Sequence, residues 1–227
     1  VSPAELVADG LGEELARSSE RGRQVLLDSL GVRPTDSTWL ATTPLDQGGL
    51  EALQQQGVRH LVVDADHVKP LRSGLLSLSL AQPFLIGSEA ATQVDAMALD
   101  PMLTDRLDTN EDPGLEVSRL LAELAMLWFE QPGISRGVVL PVDPTVRADV
   151  VQGLLAGLDA SGILAPVTLD TLFDDASPLR QPGGERVDRP LAEGETRTMS
   201  PRFVDELRAA RAQLASFTGL IGDESPR

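Results

Sequence analysis

The sequence predicts an α/β fold built from repeated β-α units, which suits a partial or irregular (β/α) barrel with a mostly parallel sheet. Three observations carry this prediction. A strand ends, an acid or proline follows and a helix begins in each of LATTPLDQGG, MALDPML and VLPVDPTV. The apolar run at Val58–Asp64 is continuous, as in strands that are covered on both faces. The stretch Leu115–Leu158 is typical of a helix, a strand and a second helix in succession.

The first part of the chain predicts two helices followed by one β-α-β unit. Ser2-Pro3 is a typical helix start, with a hydroxyl cap and a proline at the first helical position. A longer helix is predicted over Glu13–Leu30. A strand at Ser37–Thr42, a helix from about Gly49 to Gln56 and the strand at Val58–Asp64 then form a unit whose crossover should be right-handed.

Shorter elements follow the second strand. Leu75–Leu80 alternates apolar residues with serines, which predicts an exposed or edge strand. Pro83–Gly87 and Val94–Leu99 are predicted as two further strands. Asp100-Pro101 then begins a short helix that ends near Leu107.

The stretch after residue 114 contains the strongest helix prediction. Leu115–Glu130 has a wide apolar stripe formed by Val117, Leu120, Leu121, Leu124, Ala125 and Trp128. We therefore expect this helix to be a major core element. A strand at Gly137–Leu140, a helix from about Thr145 to Leu158 and a strand at Pro166–Leu169 should follow.

Composition divides the chain into four parts. Residues 1–175 are predicted to form the barrel-like domain. Residues 176–200 are rich in proline, glycine and charge, which indicates a linker or an excursion, with room for a small hairpin. Residues 201–217 should form a helix that packs on the domain, and residues 218–227 a polar tail. The stripe of the last helix is Phe203, Leu207, Ala210, Leu214 and Phe217.

Charge and composition limit the classes of partner. A formal net charge of −16 argues against nucleic acid and against contact with a membrane surface, because both bind basic patches. The chain has no cysteine, which excludes disulfides and cysteine nucleophiles. No apolar run approaches the ~20 residues that span a bilayer, and no signal peptide is predicted. The abrupt start and the polar GDESPR ending are what we expect of a fragment of a longer protein.

Candidate site residues follow the predicted strands, because active sites of β/α folds lie at the carboxyl ends of the strands. Asp64 and Asp66 are the catalytic candidates, since paired carboxylates perform acid–base work on glycosidic bonds. The binding candidates are Trp39, His67, Glu89, Asp100 and Asp143. The complete set expected on that rim is Thr42, Thr43, Asp64, Asp66, His67, Glu89, Asp100, Asp143 and Asp170.

Each candidate also has a structural interpretation. Asp100 and Asp143 precede prolines at predicted helix starts, where aspartate caps free backbone N–H groups, and the same explanation applies to Asp170. The segment from Asp64 to His67 offers two carboxylates and an imidazole to a metal, but a solvated loop is the favoured explanation.

No metal and no cofactor is predicted. The chain has two histidines, and His60 falls inside a strand, so a zinc site built from several histidines is excluded. The nucleotide, metalloprotease and nucleophile-elbow motifs are missing from the sequence. Trp39, near a strand end, could stack on a sugar ring.

The chain contains the segments LAE-x-A-x-x-x-x-E-x-P, R-x-VVL-P and PVTLDTLF. Their specified positions are Leu121, Ala122, Glu123, Ala125, Glu130, Pro132, Arg136, Val138 to Pro141 and Pro166 to Phe173. In these segments the chain resembles a family of uncharacterised actinobacterial envelope proteins, whose genes tend to lie beside that of the MurJ-type lipid II flippase. The resemblance implies a secreted, membrane-anchored parent protein and a distant similarity to polysaccharide deacetylase and glycoside hydrolase barrels. The deacetylases' paired aspartates with an HxxxH motif are not found here.

Three functional hypotheses stay open, the third of them a purely structural spacer, which would show no pocket. The first is an extracytoplasmic domain that binds or scaffolds without catalysis, with a cell-wall polysaccharide or an envelope protein as its partner. The second is a carbohydrate-active hydrolase or deacetylase-like enzyme that uses the acids at the strand ends. A concave pocket with two carboxylates ~5–10 Å apart would favour the enzyme.

Overall fold

A computed structural model describes residues 2–70, 80–87, 93–107, 112–192 and 198–221. Within these ranges one sheet of four strands organises the fold. The strands are β1 (Thr38–Ala41), β2 (His60–Asp64), β3 (Phe84–Ile86) and β4 (Val94–Leu99), in the spatial order β1-β2-β4-β3. β1, β2 and β4 run parallel, and β3 pairs antiparallel with β4. The predicted α/β class and mostly parallel sheet are confirmed, but the described strands form an open sheet with β1 and β3 at its edges.

Helices connect and cover the strands. Several helices begin at a side-chain cap: the Ser2, Asp46, Asp112 and Thr168 side chains each accept a backbone N–H of the first turn. Short 3-10 turns lie at Ala65–His67 and Asp105–Leu107. The α-helices are α1 (Pro3–Ala8), α2 (Gly12–Leu30), α3 (Gln47–Gln55), α4 (Pro101–Thr104), α5 (Pro113–Glu130), α6 (Ala148–Asp159), α7 (Leu169–Asp175) and α8 (Pro201–Ile221).

The main core lies between one face of the sheet and the helices α1, α2 and α3. Alternate side chains of each strand point to this face, so every second residue is part of the core. The strand residues in it are Ala41, Leu61, Val63, Phe84, Ile86, Val94, Ala96 and Ala98. The helices contribute Leu6, Leu15, Leu50 and Leu53, all buried. This packing explains why the apolar run of β2 is continuous: its other face, at Val62, is also fully covered.

Gly49 is required where α1 and α3 approach each other. A Cβ at this position would lie 2.8 Å from Leu45 Cδ1 and 3.0 Å from the Ala4 backbone nitrogen. We expect Gly49→Ala to lower the free energy of unfolding by about 1–3 kcal/mol, because backbone atoms cannot move aside cheaply. Urea denaturation would measure the change. Gly22→Ala is the matched control: nothing lies within 4 Å of its Cβ, so alanine should stabilise that helix.

A second core cluster joins α5 to α6. Val117, Leu120 and Leu124 are buried against α6, and Leu127 is partly buried there. The stripe therefore continues through Leu127, and the prediction that Trp128 belongs to it is wrong. Trp128 is 39% exposed, because one residue of helix turns it about 100° away from the α6 contact.

Several predicted elements differ from the structure. Neither Gly137–Leu140 nor Pro166–Leu169 forms a strand, since neither has a neighbouring strand with which to form a ladder in the described ranges. Gly137–Leu140 and residues 166–168 are irregular, and Leu169 is the first residue of α7. Val139 instead packs on Met97 as a single side chain. The helix predicted from Thr145 begins at Ala148, after a turn. The predicted strand at 75–80 lies, except for its last residue, outside the described residues.

The segment after α7 folds back on the sheet. A small hairpin pairs Arg180 with Arg186, and the backbone of Leu85 in β3 exchanges hydrogen bonds with Val187 and Arg189. Val187 and Arg189 are buried. The segment of residues 176–192, which follows α7, thus packs against the outer edge of β3.

The final helix contacts the rest of the chain through its first half. Val204 is buried in the main core, and Arg208 and Arg211 bind the Asp9 carbonyl and the Glu14 carboxylate. The predicted stripe is wrong in part, because Phe203, Leu214 and Phe217 are exposed. The helix extends to Ile221, beyond the predicted end at Phe217. None of the described helices combines the length and apolar composition that crossing a membrane requires.

Candidate functional site

The carboxyl ends of the parallel strands β1, β2 and β4 lie side by side at one end of the sheet, which we call the rim. Ala41 is opposite Val63, and Asp64 is opposite Leu99. Thr42, Asp64 and Asp100 therefore follow one another across three neighbouring strands. The rim brings together these three residues and, on the 3-10 turn directly after β2, Asp66 and His67, all of which the sequence placed there.

Asp64 and His67 form the main polar pair of the rim. His67 Nδ1 lies 3.9 Å from Asp64 Oδ2, which is beyond hydrogen-bond distance but close enough for attraction when the imidazole is protonated. His67 Nδ1 is buried and has no hydrogen-bond partner. Asp66 is exposed on the same turn. The pair could bind a polar group or accept a proton.

The carboxylates of Asp100 and Asp143 each accept a hydrogen bond from a backbone N–H two residues further along the chain. Asp100 Oδ1 accepts the N–H of Met102 at 2.9 Å, at the start of α4. Asp143 accepts the N–H of Thr145 at 2.8 Å and its hydroxyl at 2.5 Å. These two hydrogen bonds favour the ionised carboxylate and lower the pKa of Asp143, the hydroxyl contributing most. Asp143 caps a turn and not the helix that the sequence predicted there.

The Thr145 hydroxyl provides a test of this interpretation. We expect Thr145→Val to raise the pKa of Asp143 towards its ordinary value, because valine removes the hydroxyl donor and keeps the backbone N–H. Because the folded-state pKa of Asp143 is depressed, its stabilising contribution exists at neutral pH and is lost as the pH falls through that pKa. Carboxyl NMR titration of wild type and variant would measure the shift. An unchanged pKa would contradict the assigned cap.

Asp170 lies at the opposite end of the sheet from the rim. Its Oδ1 accepts the hydroxyl of Ser37 at 2.6 Å, and Ser37 directly precedes β1. The expectation that Asp170 joins the rim is therefore wrong, as is its predicted role as a cap, which belongs to Thr168. His60, at the same end, stacks on the Phe173 ring at 4.4 Å, which agrees with a structural role. Glu89 lies outside the described residues.

A cavity of about 310 Å³ runs beside the outer edge of β1, and we call it the β1 groove. It is lined by Pro3, Leu15, Ser18, Ser19, Trp39, Leu40, Thr42 and Thr43. Trp39 and Leu40 are consecutive strand residues whose side chains point to opposite faces of the sheet. A cavity that contacts both must pass along the backbone edge between them. The β1 groove is therefore bounded by a strand edge as well as by side chains.

The outer edge of β1 presents backbone hydrogen-bonding groups. The carbonyl of Ser37 accepts the N–H of His60, so the peptide groups of Ser37, Trp39 and Ala41 point to β2. Those of Thr38 and Leu40 consequently point away from β2. No hydrogen bond within the described ranges reaches these outward groups. Leu40 is 47% exposed, so the edge is open to solvent.

The chemistry of the β1 groove is that of a neutral binding site. Its lining contains one indole, four hydroxyls and apolar carbon, without an ionisable side chain. Its volume is at the lower end of the range for ligand pockets, about 300–1,000 Å³. Across the described ranges, no three histidine, aspartate or glutamate side chains come together as a metal site would require. The metal interpretation of Asp64, Asp66 and His67 therefore lacks support.

Sequence reasoning identified part of this site. Trp39, Thr42 and Thr43 were candidates because they belong to a strand end. Ser18 and Ser19 were missed, since no local pattern in the predicted helix Glu13–Leu30 places them beside a strand. Only the packing of α2 beside β1 brings them to the groove.

Comparisons with known proteins concern the fold alone. No protein-family model matches the chain. No curated protein matches it either. Among solved structures, 4-alpha-glucanotransferase from Thermococcus litoralis, a TIM-barrel enzyme, matches 76% of this chain with a TM-score of 0.57 and 13% sequence identity. The match covers 26% of the glucanotransferase, so this chain corresponds to about a quarter of that protein's length.

Proposed function

We propose that this chain is a non-catalytic binding or scaffolding domain of an extracytoplasmic cell-envelope protein linked to cell-wall assembly, and that it binds its partner in the β1 groove. The resemblance to the actinobacterial envelope family supports the location. The observation that carries the binding role is the groove itself, in which an indole, four hydroxyls and a free strand edge enclose an uncharged cavity.

The distribution of carboxylates supports binding over hydrolysis. Glycosidic bond cleavage uses two carboxyl groups that flank one bond. Asp100 and Asp143 accept hydrogen bonds from their own backbones, and Asp170 lies at the other end of the sheet. The partner classes that fit a neutral groove are a cell-wall polysaccharide and a segment of an envelope protein.

Ser18→Arg tests the site without disturbing the core. Ser18 is exposed on α2 and lines the groove, so arginine would place a long charged side chain at its opening. We expect binding of a groove ligand to weaken at least about tenfold, a cost of about 1.4 kcal/mol. Titration calorimetry with soluble peptidoglycan and arabinogalactan fragments and with synthetic peptides would measure affinity.

Ser29→Arg is the matched control for this variant. Ser29 is exposed on the same helix and does not line the groove, so it should leave affinity unchanged. Equal effects of the two arginines would show that charge and not the groove governs binding. If no glycan fragment and no peptide binds the wild-type chain in the groove, the proposed function is wrong.

A second candidate is a carbohydrate-active enzyme centred on Asp64 and His67. The observation that favours it is the imidazole 3.9 Å from a carboxylate at the end of β2, with a buried, unpartnered Nδ1. The fold likeness to part of a glucan-transferring enzyme agrees with it. Hydrolysis or deacetylation of cell-wall glycans by the wild-type chain, lost in Asp64→Asn and retained in Asp143→Asn, would establish this alternative.

A further inference from the structure

The outer edge of β1 is short, at four residues, but it carries no side chain that would block the addition of another strand. Edge strands are ordinarily protected by a short length, charged side chains, prolines or bulges. β1 has the sequence TWLA, with no charge and no proline, in a chain whose net charge is −16. Its outward side is flanked by the apolar and hydroxyl lining of the β1 groove. The outward backbone N–H and C=O groups of β1 are thus not blocked by charged side chains or prolines of the strand, and they lie beside a neutral cavity.

The outward groups have the spacing of a peptide strand. The N–H and C=O of a residue point to the same side, and the pattern repeats every second residue, or about 6.6 Å. Thr38 and Leu40 therefore offer donor and acceptor pairs at the interval at which an added strand presents its own. A glycan backbone carries hydroxyl and ether oxygens, and the amide groups of N-acetylated sugars are pendant side groups that do not form such a backbone repeat.

We propose that the β1 groove binds an extended, uncharged peptide segment that adds to the sheet as a fifth strand beside β1. This inference rests on the proposed binding function and names its partner as protein. The peptide backbone bonds the outward groups of Thr38 and Leu40. Because the two faces beside the edge carry Trp39 and Leu40, alternate side chains of the peptide contact an apolar surface on each face. The uncharged lining disfavours acidic and basic side chains at these positions.

A random peptide library is first selected for binding to the complete 227-residue chain. Peptides that also bind the Ser18→Arg variant are then removed. A capped synthetic copy of a selected peptide is the probe. We expect apolar residues at alternate positions of that peptide. We also expect slower amide hydrogen exchange at Thr38 and Leu40 when it binds.

Backbone methylation of the probe tests the strand geometry without altering the protein. N-methyl groups on the peptide amides that face β1 should weaken binding about threefold to tenfold for each hydrogen bond lost. N-methyl groups on the intervening amides should have little effect. Equal sensitivity at both sets of positions would overturn the added strand.

Leu40→Pro tests the same contact from the protein side. Proline removes an N–H that points outward, so the β1–β2 ladder stays intact, and edge strands tolerate proline there. We expect binding about threefold to tenfold weaker than in Leu40→Ala, which loses the side chain and keeps the N–H. Equal affinities of the two variants would contradict the proposal.

The outcomes separate this inference from the function on which it rests. If glycan fragments bind in the groove and no peptide does, the added strand is wrong and the binding function stands. If neither binds, both are wrong. A selected peptide whose contacts map away from β1 would also overturn the inference.

Discussion

Replacing Phe84 with alanine is expected to lower the free energy of unfolding by about 3–5 kcal/mol. Phe84 is fully buried in β3, packs in the main core and is paired with Ala96 of β4. Its ring also supports the guanidinium of Arg189, which lies 4.7 Å from the ring centroid. Alanine would leave a cavity in the core and remove that contact at the same time. The loss is comparable to the whole stability of a marginal domain.

Urea denaturation followed by far-UV circular dichroism would measure the loss in Phe84→Ala. Phe217→Ala is the matched control, because Phe217 is 61% exposed on α8 and its truncation should change stability by no more than about 0.5 kcal/mol. A decrease in the free energy of unfolding below about 1 kcal/mol in Phe84→Ala would show that Phe84 is not packed in the main core as described.

Replacing Arg189 with methionine is expected to raise the free energy of unfolding by about 1–3 kcal/mol, the cost of leaving a buried polar group without a partner. Arg189 is 5% exposed, and its Nη1 has no hydrogen-bond partner. Burial lowers the pKa of the guanidinium, and no carboxylate lies in ion-pair contact with it among the described residues. Two contacts among the described residues offset part of the cost of burying the guanidinium. Its Nε donates to the Lys69 carbonyl at 3.2 Å, and its carbon lies over the Phe84 ring. Methionine keeps the buried carbon and removes the charge.

The comparison of Arg189→Met with Arg189→Ala separates charge from packing. Alanine also removes the charge but leaves a cavity, so it should be less stable than methionine by about 2–5 kcal/mol. Chemical denaturation of both variants at one pH gives the two differences. If methionine destabilises the chain, the guanidinium stabilises the fold through an interaction with an anion or a carbonyl that outweighs the cost of burying it.

The helices and buried strands could be predicted because their signals are local. The Ser2-Pro3 helix start and the continuous apolar run of β2 depend on neighbouring residues. Trp128 shows the limit of this reasoning. Both Leu127 and Trp128 fit an apolar stripe, and only the position of α6 selects Leu127 for the contact.

The rim and the groove were predicted less well because they depend on pairing between distant segments. Apolar content at Gly137–Leu140 and Pro166–Leu169 is that of strands, yet a strand also requires a partner ladder, which the described chain does not provide. Asp170 has the sequence context of a rim acid but bonds Ser37 at the other end of the sheet. Local patterns do not specify which end of the sheet a loop approaches.

The sequence by itself determined the α/β class, the parallel β1-α3-β2 unit and the acidic, cysteine-free surface chemistry, because periodicity, capping and charge are properties of short segments. Tertiary structure alone decided that β1 lies at the edge of the sheet and that Ser18 and Ser19 face it. Strand order is fixed by long-range hydrogen bonds between segments far apart in the chain, and no local pattern encodes it. The outward peptide groups of Thr38 and Leu40, on which the proposed partner depends, follow from that order.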